Sequence, residues 1–141
     1  MPADRLKVAD GVIRFSGDGQ YRSKIGLTSQ RAKPVLGSYD ATRQLLTIVQ
    51  YTKPERATDY VNSMWELQAE PFKGDVVNSY NDGAPSPGVK QLGPFYELES
   101  SSPALALKPG ERAAHIHRTI HLQGREAAVR ALGQAIFGAI E

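Results

Sequence analysis

Glycine and proline punctuate this chain so often that its elements must be short. Thirteen glycines and nine prolines are spread through 141 residues rather than gathered in one tract. Such spacing suits many short strands joined by turns. The length is that of one ordinary domain with room for a real core, which excludes a multidomain enzyme. We therefore expect residues 1–141 to form a single domain. Apolar residues make up 40% of the chain, too many for a disordered segment. Cysteine is absent, which excludes disulfides, thiolate metal sites and thiol nucleophiles. The formal net charge is +2 and the charges are scattered, so nucleic acid has no basic stripe to bind. No apolar run approaches the ~20 residues of a membrane-spanning helix. Residues 1–11, MPADRLKVADG, lack the apolar core of a secretory signal, so a cytoplasmic location is expected.

The expected elements run as follows. Residues 1–10 are polar and expected to fray. Strands are expected at 12–15, 21–27, 35–39, 45–52, 75–81, 94–100, 104–107 and 112–123, with a weaker alternation at 60–68. The run LLTIVQYT at 45–52 is the richest in β-branched residues. Asp40 to Arg43 reads as a hairpin tip. Residues 81–88 (NDGAPSPG) read as a long irregular loop, the kind that carries function on a β scaffold. Residues 125–140 differ, because Val129, Leu132, Ile136 and Ile140 form one helical stripe. The fold class that follows is mainly β, an antiparallel sandwich with a C-terminal helix.

Three groups of residues can carry chemistry. All three histidines lie in the segment His115-Ile116-His117-Arg118-Thr119-Ile120-His121. Alternation puts His115, His117, Thr119 and His121 on one face. Neighbours at i and i+2 lie about 6.5–7 Å apart, close enough for two imidazoles to share a metal. One reading is thus a divalent transition metal on His115, His117 and His121; the other is a solvated or hydrogen-bonded polar face. Next, Phe95, Glu97 and Glu99 share one face of their strand. Paired carboxylates suit acid/base work if buried, and a solvated edge if not. Last, Asn78, Tyr80 and Asp82 alternate along one strand, and Trp65 is the only tryptophan. Rings beside amides and carboxylates are what a polyhydroxylated ligand needs. A sandwich core can have the same composition.

Two resemblances add to this reading. Pro109-Gly110-Glu111 followed by His115-x-His117 and Gly124 is similar to the first motif of cupins. The glutamate that cupins place after the histidines is missing, His121 stands near its position, and no histidine remains for a second motif. More extensively, a set of stretches in this order resembles an uncharacterised bacterial family common in Bacteroidetes-type genomes. They are Tyr21 to Gly26, Gly37 to Asp40, Tyr60 to Glu66, Lys73 to Gly83, Gly93 to Pro103, and Pro109 to His121. The run from Lys73 to Pro103 is the most specific. We associate that family with the galactose-mutarotase-like β-supersandwich.

The second resemblance implies a sugar ligand, with its site on the face carrying Glu97, Glu99, His115, His117 and Asn78, and no cofactor is expected. It also implies candidate types for an epimerase-like exchange: His115 or His117 as acid, Glu97 or Glu99 as base. No epimerase motif aligns residue by residue, so whether the protein is an enzyme stays open. Supersandwich proteins are longer, and this chain corresponds to a C-terminal portion. Half a sandwich would expose a broad apolar face, from which self-association is expected. The alternatives kept are a cupin-like metal-binding protein and a truncated, non-catalytic oligomerising protein.

Overall fold

The computed structural model describes residues 1–64 and 66–138. Among them the fold is mainly β, with antiparallel sheets and one C-terminal helix. A short 3-10 turn, Ala3–Arg5, leads into the hairpin β1 (Leu6–Ala9) and β2 (Val12–Phe15). The remaining strands are β3 (Ser23–Leu27), β4 (Val35–Asp40), β5 (Leu45–Tyr51), β6 (Val77–Asn81), β7 (Tyr96–Ser100) and β8 (His117–Gln123). They form two three-stranded sheets, β3-β6-β7 and β4-β5-β8, followed by α1 (Glu126–Phe137).

Strand β5 shows how the sheets stack. It is buried along almost its whole length instead of alternating. Its Leu46 and Ile48 face α1 and pack with Val129, Ile136 and Phe137. Its opposite face carries Tyr51, which joins Val77 of β6, Leu27 of β3 and Leu36 of β4 in a second cluster around Tyr60 and Val76. A strand covered on both faces reads as a continuous apolar run, which is what LLTIV is. The two sheets also meet through hydroxyls, Ser38 of β4 and Tyr96 of β7 at 2.8 Å.

Several expectations change. Within residues 1–10, β1 pairs with β2 in full register and Arg5 forms an ion pair with Asp18. The Arg5 guanidinium also lies over the Tyr21 ring at 5.5 Å. Residues 104–107 form no strand: Ala104 N–H reaches the Asp59 carbonyl, and Leu105 and Leu107 are exposed. An apolar run becomes a strand only beside a partner edge, and none of the described strands pairs with this one. The strand expected at 112–123 begins only at His117, since its partner β5 ends at Tyr51, opposite His117. Residues 60–64 and 66–68 likewise form no strand. Tyr60 makes one isolated bridge to Lys73, and Asn62 donates to Gln68 at 2.7 Å. The helical stripe holds at Val129 and Ile136, Leu132 is 40% exposed, and Ile140 lies outside the described residues.

The broad apolar face expected of half a sandwich is on neither sheet. Helix α1 covers one face of β4-β5-β8, and the outer face of β3-β6-β7 is polar. Large apolar side chains are exposed in loops instead, among them Val61, Met64, Leu67 and Phe72.

Asn81, at the end of β6, is fully buried. Its carbonyl oxygen accepts the Gly19 N–H at 2.8 Å, and its amide donates to the Tyr21 carbonyl at 2.8 Å and to Asp18 at 3.3 Å. Gly19 has φ +67° with the Pro94 backbone against it, so only glycine fits there. Asn81→Ala strands these buried groups and should cost about 2–4 kcal/mol in urea unfolding. Leu67→Ser, at a fully exposed position, should leave the midpoint unchanged.

Candidate functional site

Cross-strand register assigns the face of every residue in β3-β6-β7, because partners opposite one another point the same way. Val77, Leu27 and Ser100 form one row, and its side chains turn toward β4-β5-β8. The next row, Gly26, Asn78 and Glu99, must therefore point outward, as must Lys24, Tyr80 and Glu97. Continuing the alternation adds Arg22 and Asp82 beyond the strand ends. The register puts Glu97 and Glu99 on the same face as Asn78 and Tyr80.

The outer face is knitted by polar contacts. Lys24 Nζ lies 3.4 Å from Glu99 and 3.4 Å from Ser63. It crosses diagonally from the Tyr80 row to the Asn78 row. The Asp75 carboxylate lies over Gly26, where any side chain would collide with it. Burial pushes the Asp75 carboxyl above the usual carboxylate range, and the nearby Lys24 charge offsets part of that. In this setting Asn78 is only 5% exposed, and its carboxamide oxygen is buried with no hydrogen-bond partner among the described residues. A buried unpartnered acceptor costs about 1–3 kcal/mol, so it calls for a reason.

At the other end of the face, Asp82 is 1% exposed and serves the loop rather than solvent. It accepts the Gly93 N–H at 2.7 Å and the Tyr80 hydroxyl at 2.7 Å. Burial alone would raise its pKa. The Gly93 N–H, the Tyr80 hydroxyl and the Gly83 and Leu92 N–H groups outweigh burial and hold it below the usual range. Burial and the same contact with Asp82 raise the Tyr80 hydroxyl, while Arg22 opposes the rise. A cavity of about 430 Å³ opens beside Arg22, lined also by Gln20, Tyr21, Pro85 and Ser86. The irregular loop expected at 81–88 thus walls a cavity against the segment that leads into β3.

The histidines lie elsewhere. Ser100 points away from Glu97 and Glu99, toward the start of β8. Its Oγ lies 2.9 Å from His115 Nε2 and 2.8 Å from His117 Nδ1. The expected face uniting Glu97 and Glu99 with His115 and His117 is therefore not formed, because adjacent residues of a strand, Glu99 and Ser100, point to opposite sides. His121 does share the face of His117, but four residues of strand separate them by roughly 13 Å. Its Nδ1 pairs with Thr47 Oγ1 at 3.0 Å. The three histidines expected to share an ion are thus not brought together. Among the described residues, no group of three or more His, Cys, Asp or Glu side chains is placed to hold a metal. Trp65 lies outside the described residues.

Four residues of these clusters escape sequence reading. Lys24 and Arg22 occupy the even positions of YRSKIGL, a signal available only once that strand is known to pair with β6. Asp75 precedes its strand and is placed by a loop. Ser100 looks like a strand end, which it is.

A family model matches residues 1–140, that of a family of unknown function (DUF6786). The chain belongs to this family. No curated protein and no solved structure matches the chain. Membership in DUF6786 assigns the outer face no activity. Among the described residues of this DUF6786 chain, no helix is long and apolar enough to cross a membrane.

The Asp82 contacts imply an acid limit to stability. Its folded pKa lies below the unfolded value of about 3.9, so its contribution is complete above that value and is lost as pH falls through the folded one. The melting temperature of the wild type should drop below about pH 4. Asp82→Asn should melt lower near neutral pH and show a shallower acid drop in the same scanning calorimetry series.

Proposed function

We propose that this protein binds a polyhydroxylated small ligand of the carbohydrate class on the outer face of β3-β6-β7. The observation that carries the reading is the Asn78 carboxamide, with its oxygen buried and without a hydrogen-bond partner among the described residues, in the centre of a polar face. Sugar hydroxyls donate and accept at once, so a site for them needs fixed acceptors and donors side by side. Asn78 offers both, and Lys24 and Glu99 flank it as an ion pair. Asp75, whose carboxyl lies over Gly26 directly opposite Asn78, adds acceptor oxygens beside it. The Tyr80 and Phe95 rings, 6.0 Å apart, supply apolar surface for the C–H face of a sugar ring. The resemblance to galactose-mutarotase-like proteins, which hold sugars on a sheet face, supports the same ligand class.

The proposal is one of binding. An epimerase-like exchange by a histidine acid and a glutamate base needs both groups around one ring. His115 and His117 lie on the side of β7 opposite Glu97 and Glu99. Supporting chemistry for a reaction at the outer face therefore comes down to Asp75 and Glu99, across Asn78.

Titration calorimetry against a panel of neutral mono- and disaccharides, with uronic acids and sugar phosphates alongside, tests the reading. At least one neutral sugar should bind with one site per chain. Asn78→Ala and Glu99→Gln should each weaken it about tenfold, the loss of roughly one good hydrogen bond. Glu99→Gln is half-exposed and keeps the shape, so it guards against a folding artefact. A blank panel, or binding indifferent to both substitutions, rejects the proposal.

A further inference from the structure

We propose that His115 and His117 form a two-imidazole site for a divalent transition ion of borderline softness, such as Cu²⁺ or Zn²⁺, between the end of β7 and the start of β8. The site is separate from the outer face and independent of the ligand proposed there. Three features of the structure carry it.

The first is convergence. His115 Nε2 and His117 Nδ1 both address one oxygen, Ser100 Oγ, at 2.9 and 2.8 Å. The two nitrogens are thus no further apart than the sum of those distances. An ion bound at about 2.0–2.1 Å from each needs them closer than that, which side-chain rotation supplies on an exposed strand end. Ser100 holds both rings turned to a common point and leaves its own Oγ beside it as a third donor atom.

The second is proton bookkeeping. A serine hydroxyl has one hydrogen. It donates to one imidazole and accepts from the other, so in the metal-free arrangement one ring offers a lone pair and the other an N–H. An ion needs lone pairs from both. His117 is exposed, so it can carry its proton on Nε2 in contact with water and free Nδ1. His115 Nδ1 is buried without a partner, so Nε2 is the ring atom that can take the ion and Nδ1 keeps the proton. That proton finds no carboxylate or carbonyl among the described residues. Such a missing outer partner weakens a metal site about 10–100-fold, so micromolar rather than nanomolar affinity follows.

The third is access. His117 is exposed and His115 and Ser100 are half-buried, so an ion has an entry path and open positions for water. Imidazoles with an open sphere favour copper and zinc over magnesium or calcium.

The test uses the untagged full chain, freed of metal by chelator and dialysis. Zn²⁺ is titrated in calorimetrically while imidazole C–H signals are followed by NMR. One ion per chain should bind, shifting the His115 and His117 signals and sparing His121, which serves as the internal control. His117→Gln, at an exposed position, should weaken uptake by more than about tenfold, whereas His121→Gln should not change it. No uptake, uptake unchanged in His117→Gln, or shifts that fall equally on His121 would each overturn the assignment. The last of these marks adventitious surface binding only.

Discussion

The buried side chains of Asn81 and Asp82 hold together segments that no strand pairing joins. Asn81 takes up the backbone of Gly19 and Tyr21 before β3, and Asp82 takes up the backbone of Gly93 before β7. Gln91 closes the same knot, donating to the Gly19 and Gly93 carbonyls at 2.9 Å each. Asp18 links the knot to Arg5, and with it to the β1–β2 hairpin. A 141-residue chain rich in loops would otherwise leave these backbone groups to water. Buried and fully paired, they fix where β3 and β7 start relative to β6.

That placement decides which side chains face outward. A slip of one residue in β6 would exchange Asn78 and Tyr80 for Val77 and Ser79. The inward row then could not meet Tyr51 and Leu27 in the core, and the polar face would vanish. Register, core and candidate ligand face are consequences of one constraint. The same alternation separates Glu99 from Ser100 and so divides the chain's chemistry into two places. One is a polar sheet face around Asn78, and the other is a pair of imidazoles on Ser100.

Local patterns in the sequence reveal elements well where the partner is implied by the pattern itself. LLTIVQY is a central strand because β-branched and large apolar residues fill both of its faces, and α1 follows from its stripe of Val129 and Ile136. The alternation of Phe95, Glu97 and Glu99 is visible for the same reason. Residues 104–107 mislead because a short apolar run says nothing about whether a strand edge lies beside it. The histidine trio misleads in a related way. A shared face is legible from parity, but the distance between His117 and His121 grows with every residue of extended chain. Asp82 is legible as a polar residue that continues the alternation of β6 just past its end. Its role as a backbone anchor rests on Gly93, eleven residues away, a contact parity cannot reveal. Lys24 and Asp75 become visible only after folding brings β3 and the loop before β6 over Asn78.

The account stands or falls on whether the outer face of β3-β6-β7 is a ligand surface. The most direct measurement follows the Asn78 side-chain amide and the backbone amides of β3, β6 and β7 by ¹⁵N NMR while a neutral sugar is added. The account predicts saturable shifts centred on Asn78, Lys24 and Glu99, with β8 silent. Shifts centred on His117 to Gln123, or scattered without saturation while the Asn78 amide stays fixed, would contradict it.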